Sequence, residues 1–468
     1  MRKNNEVSIV QKIKEHFLFH FFSQQFKEIY LTAVDANAKI KVQFYLFFPF
    51  LVASLLTGAI AYGYYEVFKY LEQLSVLMFR QNPLSIFIVT PASFLVSWWL
   101  VVTFAPFSKG SGIPQVMASI ELADTKKDYL VDYFVNLKII IVKLLSSFVK
   151  VLGGGVLGRE GPTIQIASSV FIVIYKFLPS WWPQVAKRNT LIAGAASGLA
   201  AAFNTPLGGL IFAIEELSKY HVKHYQTTLF MAVIVAGLTA QGFGGSYLYL
   251  GYPKLLQDNW DIVHIVILVA LLSGYFGSKM GDIIFKVLSF ILEVKSKTKM
   301  IQIILLSGLA VALSIYLFGE DVMGSGKELM QKLLYEEDKT IAWYIPFVRI
   351  FNTMATFSIG GAGGIFAPSL SSGAAVGALV AQYFHILGEH ANLLILVGMT
   401  SFLTGITRAP FTAAIIVFEM TDRHSAIFFL LIAAIFANLI SSLVSERSFY
   451  ENLKDNYIED ATKLSVSK

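Results

Sequence analysis

Long apolar stretches recur along the whole chain, separated by short polar joints or by glycine and proline. A first stretch covers about 42–70 and a second about 84–105. Others lie near 134–152, 163–178, 190–217, 227–248, 261–291, 300–318, 340–357, 365–386, 391–420 and 425–444. A helix needs about 20 apolar residues to cross a bilayer, so the pattern predicts an all-α polytopic membrane protein. Several stretches are short or interrupted by Gly and Pro. Interruptions at corresponding places in two halves point to a transporter binding site. Residues 7–34 differ. Val7, Val10, Ile13, Phe17, Phe21, Phe26 and Tyr30 recur at roughly helical spacing among Lys12, Lys14 and Lys27. That predicts an interfacial helix on the cytoplasmic face.

The halves do correspond. Gly194-Ala195-Ala196-Ser197 is followed by Pro206 and Glu215, and Gly398-Met399-Thr400-Ser401 by Pro410 and Glu419. Each pair lies 204 residues apart, and Gly158 to Pro162 echoes Gly364 to Pro368 at an offset of 206. Such a duplication predicts a pseudo-two-fold site between the halves. Whether the repeats are parallel or inverted does not follow from the spacing. The expected organisation is a cytoplasmic N-terminal segment over 1–40, a first transmembrane repeat over 41–250 and a second over 251–445. A C-terminal helix and short cytoplasmic tail cover 446–468, with no room for a regulatory soluble domain.

Composition agrees. The chain has 468 residues, 55% hydrophobic and 15% charged, with a mean hydropathy of +0.62. Soluble domains carry about 25% charged residues. Trp98, Trp99, Trp181 and Trp182 near segment ends fit interfacial belts. The net charge of +6 fits the positive-inside rule and gives no sign of a nucleic-acid partner. Lys and Arg in the N-terminal 40 residues, Lys295, Lys297 and Lys299, and the tail's Arg447, Lys454, Lys463 and Lys468 place both termini in the cytoplasm. With no cysteine, disulfides and thiolate metal sites are excluded. Met1 to Glu6 starts no signal-peptide core.

Three Gly/Pro-bounded motifs precede apolar helical runs. They are Gly110-Ser111-Gly112-Ile113-Pro114, Gly158-Arg159-Glu160-Gly161-Pro162 and Gly364-Ile365-Phe366-Ala367-Pro368. Each reads as a loop feeding a helix N-terminus, where exposed N–H groups favour an anion. Several partial charges suit transport better than one buried Lys, because binding must be weak enough to allow release. Any single motif also reads as an ordinary transmembrane loop. Charge at membrane depth costs about 3 kcal/mol or more, which marks Arg159 and Glu160 as functional. A carboxylate at an anion site competes with its ligand.

On these motifs the chain resembles the CLC family of chloride channels and chloride/proton antiporters, of the prokaryotic type without CBS domains. Phe212-Ala213-Ile214-Glu215-Glu216 and Arg408-Ala409-Pro410 match too, and the likeness runs from about 45 to 450. The resemblance implies two inverted-topology repeats of tilted and broken helices. It also implies a homodimer with one anion pathway per subunit, in the bacterial cytoplasmic (inner) membrane. Carried over by position, it makes Ser111 and Gly112, the backbone N–H groups of Ile365 and Phe366, and the Tyr450 hydroxyl the anion site. Glu160 becomes the gate and Glu216 the intracellular proton-transfer group, with Glu215, Arg159 and Lys143 in support. On residues alone, Tyr450 reads as an interfacial anchor and Glu216 as a solvated helix end.

Protonating Glu160 removes its charge and lets the side chain leave; an anion follows, and the returning carboxylate expels it. With a second relay at Glu216, proton and anion move oppositely. Family channels commonly lack glutamate there, so the expected function is chloride/proton exchange, with chloride and H+ as the transported ions and no cofactor. Adjacent helix positions point about 100° apart, so Glu215 and Glu216 need not share a role. The alternative within the family is a passive, voltage- or proton-gated chloride channel. An intramembrane enzyme would need a Ser–His or metal constellation at membrane depth, and the histidines sit at segment ends or in loops. Ser rather than Pro at 111 leans toward chloride, and Ser111 with the intact Gly158-to-Pro162 motif matches the chloride-type pattern rather than a fluoride-selective relative.

Two departures stand out. Gln115 and Met117 occupy positions where known prokaryotic exchangers carry acids. With Lys143 and Arg159 less neutralised, activation is expected at more acid pH. Other signals read as bland: His221 and His224 as a loop, and His16 and His20 as interfacial packing. Arg408 and Glu419 read as a cap and an inter-helix partner, and 242–245 as a turn without a following GK[ST].

Overall fold

The computed structural model describes residues 45–466 apart from 180, 184, 219–225, 246–247, 256–259 and 295. The interfacial helix expected over 7–34, with His16 and His20, lies outside the described residues, as do His221, His224 and Lys295. Among the described residues, Tyr45–Pro49 and those of 179–185 make a small unit. Within it the Trp182 indole donates to the Tyr45 carbonyl at 2.8 Å.

All regular structure among the described residues is helical, with two isolated bridges and no named strand. Helix α1 covers Tyr45–Gln81. It is followed by α2 (Ile86–Phe104), α3 (Ile113–Leu122), α4 (Val131–Phe134), α5 (Leu137–Leu152), α6 (Glu160–Phe177), α7 (Lys187–Phe203), α8 (Pro206–Phe212) and α9 (Gln226–Gly244). The second half holds α10 (Val263–Leu292), α11 (Lys297–Phe318), α12 (Lys327–Tyr335), α13 (Ile345–Ser358), α14 (Phe366–Tyr383), α15 (Gly388–Thr407), α16 (Pro410–Thr421), α17 (Ile427–Val444) and α18 (Phe449–Val466). Seven helices among the described residues are long and apolar enough to cross a membrane. The most apolar windows of α2, α9, α11 and α17 are only 33–39% buried, whereas that of α15 is 94% buried. The former leave most of their apolar surface uncovered within the subunit and the latter is enclosed by protein.

Two expected single spans, 190–217 and 391–420, are each two helices. The first breaks at Asn204 (φ +57°) and the second at Arg408 (φ +59°), again 204 residues apart. A left-handed residue ends each helix, and Pro206 or Pro410 at the first position of the next restarts it. Asparagine tolerates this backbone; arginine costs about 1–2 kcal/mol there. The Arg408 guanidinium is tied to the carbonyls of Ser445 and Glu446, at 3.0 and 2.6 Å. After Phe212 the chain continues as a π-helical turn, Ala213–Ser218, which carries Glu215 and Glu216. Such turns gather at functional sites. The expected turn over 242–245 is a correction: α9 runs through Gly244, and only Gly245 (φ +78°) leaves it.

Close glycine crossings join the same helix pairs in each half. A Cβ on Gly194 of α7 would lie 2.8 Å from the Ser168 Cα of α6. One on Gly398 of α15 would overlap the Gly373 carbonyl of α14. Glycine at these points lets the paired helices touch through their backbones.

Candidate anion and proton site

Backbone lacing brings the three sequence motifs together. Gly110 N–H donates to the Gly361 carbonyl at 2.9 Å and Gly363 N–H to the Gly110 carbonyl at 3.1 Å. Gly158 and Gly364 exchange bonds of 2.7 and 2.8 Å. The loops ahead of α3, α6 and α14 are therefore one assembly, and three helices begin at it. Gly112 caps α3 in a left-handed conformation (φ +103°). Arg159 caps α6 and Ile365 caps α14. None of the three is capped by a side chain, so N–H groups at these ends remain for an anion.

Ser111 and Tyr450 supply hydroxyls. Tyr450, at the head of α18, is fully buried, and its ring stacks on Phe366 at 6.2 Å between centroids. The two hydroxyls lie within each other's reach, yet neither makes a hydrogen bond of regular geometry. Two buried hydroxyls so placed can donate to an added acceptor. A Cβ on Gly161 would run into the Ser111 hydroxyl, so only glycine brings α6 this close to Ser111.

Glu160 is 1% exposed at the start of α6. The Tyr249 hydroxyl donates to its Oε1 at 3.4 Å, and its Oε2 sits beside Gly158 near the start of α14 without a hydrogen bond of regular geometry. Arg159 donates to the Ala202 carbonyl at 2.8 Å and lies 4.4 Å from the centre of the Tyr65 ring. Glu216 is 7% exposed. Both Glu160 and Glu216 lie close enough to Tyr450 to act on its hydroxyl electrostatically. Glu215 is separate: its carboxylate accepts from Phe411 N–H at 3.2 Å, and from Thr412 N–H and Thr412 Oγ1 at 2.7 Å each. It caps α16.

Lys143 departs from the expectation. Its ammonium is not placed beside Glu160 but beneath Gly112, with its donor spent on Gln165 Oε1 at 2.5 Å. Gln165 in turn donates to the carbonyls of Phe107 and Phe134. Gln115 donates to Lys109 O at 2.6 Å, and Met117 is 6% exposed. The cation thus supports the Ser111–Gly112 loop through a neutral amide, with Gln115 and Met117 supplying no carboxylate and Glu121 of α3 paired with Lys454.

Sequence reasoning missed Tyr249, Phe203 and Lys150. Phe203 contacts Tyr249 edge-on at 5.3 Å and Phe366 at 6.2 Å. The rings of Tyr450, Phe366, Phe203 and Tyr249 therefore run in series from the hydroxyl pair to Glu160. No motif marks Phe203 or Tyr249, since aromatic residues at helix ends are common. Lys150, 1% exposed, donates to the Thr356 carbonyl at 3.2 Å behind the Gly361 loop; a lysine within an apolar run was the available signal.

The fold and site define a helical membrane protein in which helix N-termini, hydroxyls and a buried carboxylate share one centre. Residues 92–442 match the family described as voltage gated chloride channel, and the chain belongs to that family. It is 26% identical over 415 residues, 85% of either chain, to the H(+)/Cl(-) exchange transporter ClcA of Yersinia pseudotuberculosis serotype IB (strain PB1/+). To ClcA of Klebsiella pneumoniae (strain 342) it is 27% identical over 379 residues, 78% of each. In fold it is similar to a slow cyanobacterial Cl-/H+ antiporter, with a TM-score of 0.77 at 23% identity, covering 89% of this chain and 98% of that one. A CLC-type fluoride/proton antiporter gives 0.72 at 20% identity, with 87% and 97% covered.

Proposed function

We propose that the protein exchanges chloride for protons across a membrane. The observation that carries this reading is Glu160, a buried carboxylate held at the helix N-termini that would otherwise hold the anion. Ionised, Glu160 fills the anion's place. Protonated, it gives up the N–H groups, and chloride takes them together with the Ser111 and Tyr450 hydroxyls. Glu216, buried on the π-helical turn with Tyr450 between it and Glu160 electrostatically, supports a proton route to the other side. The names of the curated relatives support exchange over passive conduction. The reading needs no cofactor and no bond-making chemistry.

The same reading places the protein in a bacterial inner membrane with both termini cytoplasmic. It also makes the protein a homodimer. Exposed apolar side chains beside the capped helices, among them Leu207, Ile214 and Phe411, support a second subunit there. Chloride-driven proton uptake in proteoliposomes tests the function, and crosslinking at Phe411 in native membranes tests the dimer.

A further inference from the structure

Outside Glu160 lies a cavity of about 280 Å³ that no step above uses. Tyr65, Lys69 and Glu72 of α1 form one wall, Arg159 and Glu160 the floor, and Tyr249 a second wall. Lys327 and Glu328, at the start of α12, close it.

Lys327 gives the cavity its chemistry. Its ammonium lies 4.7 Å from the centre of the Tyr249 ring and 5.1 Å from that of Tyr65, and donates to the Tyr65 hydroxyl at 3.4 Å. At its far edge, Tyr249 donates its hydroxyl to Glu160. One tyrosine therefore touches the gate carboxylate with its hydroxyl and the ammonium with its face. Lys327 also stands on a fixed base. Gly326 turns the chain at φ +83°. Ser325 N–H is held by Glu72 Oε1 at 2.5 Å, and Arg349 binds the Met323 and Gly324 carbonyls at 3.2 and 3.4 Å.

We propose that Lys327 and Tyr249 form the outer seat of the Glu160 carboxylate. A carboxylate driven from the helix N-termini needs compensation for its charge. A turn into this cavity keeps it near the Tyr249 hydroxyl and brings it to an ammonium held in place by two aromatic faces. The other charges facing the seat are engaged elsewhere or exposed. Arg159 is engaged by Ala202 and Tyr65, and Glu72 by Ser325. Lys69 and Glu328 are exposed and opposite in sign. Lys327 is thus a positioning residue for the gate, supplied to the first repeat by the second. The seat rests on the reading of Glu160 as the movable gate.

The consequence has a sign. A cation beside the outward carboxylate favours its ionised form, so external protons load it only at lower pH. Chloride flux from proteoliposomes, recorded against external pH, tests this with wild type, Lys327→Gln, Lys327→Arg and Tyr249→Phe. Lys327→Gln moves the half-activation point up by about one pH unit, a tenfold change in proton concentration. Lys327→Arg keeps it near wild type, and Tyr249→Phe moves it in the same direction as Lys327→Gln by less. In Glu160→Gln, flux is flat with pH, and adding Lys327→Gln changes nothing. An unshifted midpoint in both Lys327→Gln and Tyr249→Phe, with Glu160→Gln flat, overturns the seat and leaves the gate standing. Flux that stays pH-dependent in Glu160→Gln overturns the gate, and the seat falls with it.

Discussion

Glu215 and Glu419 cap each other's halves. Glu215 closes the N-terminus of α16, and Glu419 accepts from Leu207 and Gly208 N–H at the N-terminus of α8, at 3.0 and 2.6 Å. The two carboxylates are 204 residues apart in sequence and equivalent in structure. Each repeat is therefore completed by an anion from the other, which binds the α8–α16 contact at the foot of the Glu216 turn. Glu419→Ala leaves two N–H groups uncapped and costs about 1–2 kcal/mol. A lower melting temperature in detergent, matched in Glu215→Ala, is the expected result, with chloride flux retained below the transition.

Arg349 is fully buried and donates to Ser371 Oγ and to the carbonyls of Asp321, Met323 and Gly324. Replacement by Met strands these acceptors, and each buried group left without its partner costs about 1–3 kcal/mol. Arg349→Met is expected to lower thermal stability more than either cap variant. Lys restores only part of the loss, because it lacks the planar fork. Thermal unfolding followed by circular dichroism ranks the four variants.

Gly161→Ala adds one methyl against the Ser111 hydroxyl, with the Ser111 carbonyl at 3.0 Å. Overpacking at this buried crossing is expected to cost about 1–3 kcal/mol, offset in part by the better helix propensity of alanine. Displacing Ser111 is expected to weaken chloride binding by about tenfold, on the order of one hydrogen bond to a charged group. Calorimetric titration with chloride measures it, with Ser111→Ala and Tyr450→Phe for comparison.

The Arg80 guanidinium makes a two-pronged bond to Glu320, which holds that carboxyl below the usual carboxylate range. A lowered native value means that the stabilisation is present above the unfolded value, about 4.3, and is lost as pH falls through the native one. Glu320→Gln is therefore expected to lower the melting temperature slightly at pH 7, by an amount that shrinks as pH falls below about 4.3. The effect is small because the pair is exposed.

Much of this was legible in the sequence, for identifiable reasons. Apolar runs and Gly/Pro joints report spans and helix starts directly, so the loops ahead of Ile113, Glu160 and Phe366 were visible. The repeat was visible because Pro206 and Pro410 restart helices at equivalent points. The breaks at Asn204 and Arg408 were hidden because both residues lie inside continuous apolar runs. Helix α12 was hidden because its short polar sequence has no span-length signature, and Lys327 was hidden with it. Lys143 was placed in the neighbourhood of Glu160 by resemblance of position, whereas its geometry is set by Gln165, 22 positions along the chain.

The central claim is that Glu160 and Glu216 couple proton movement to chloride movement. Its most direct test is proton flux in proteoliposomes under an imposed chloride gradient, with no proton gradient at the start. The account predicts uphill proton movement opposite to chloride in wild type, and chloride flux without proton movement in Glu160→Gln and in Glu216→Gln. Chloride flux without proton movement in wild type, or undiminished pumping in Glu216→Gln, would contradict it.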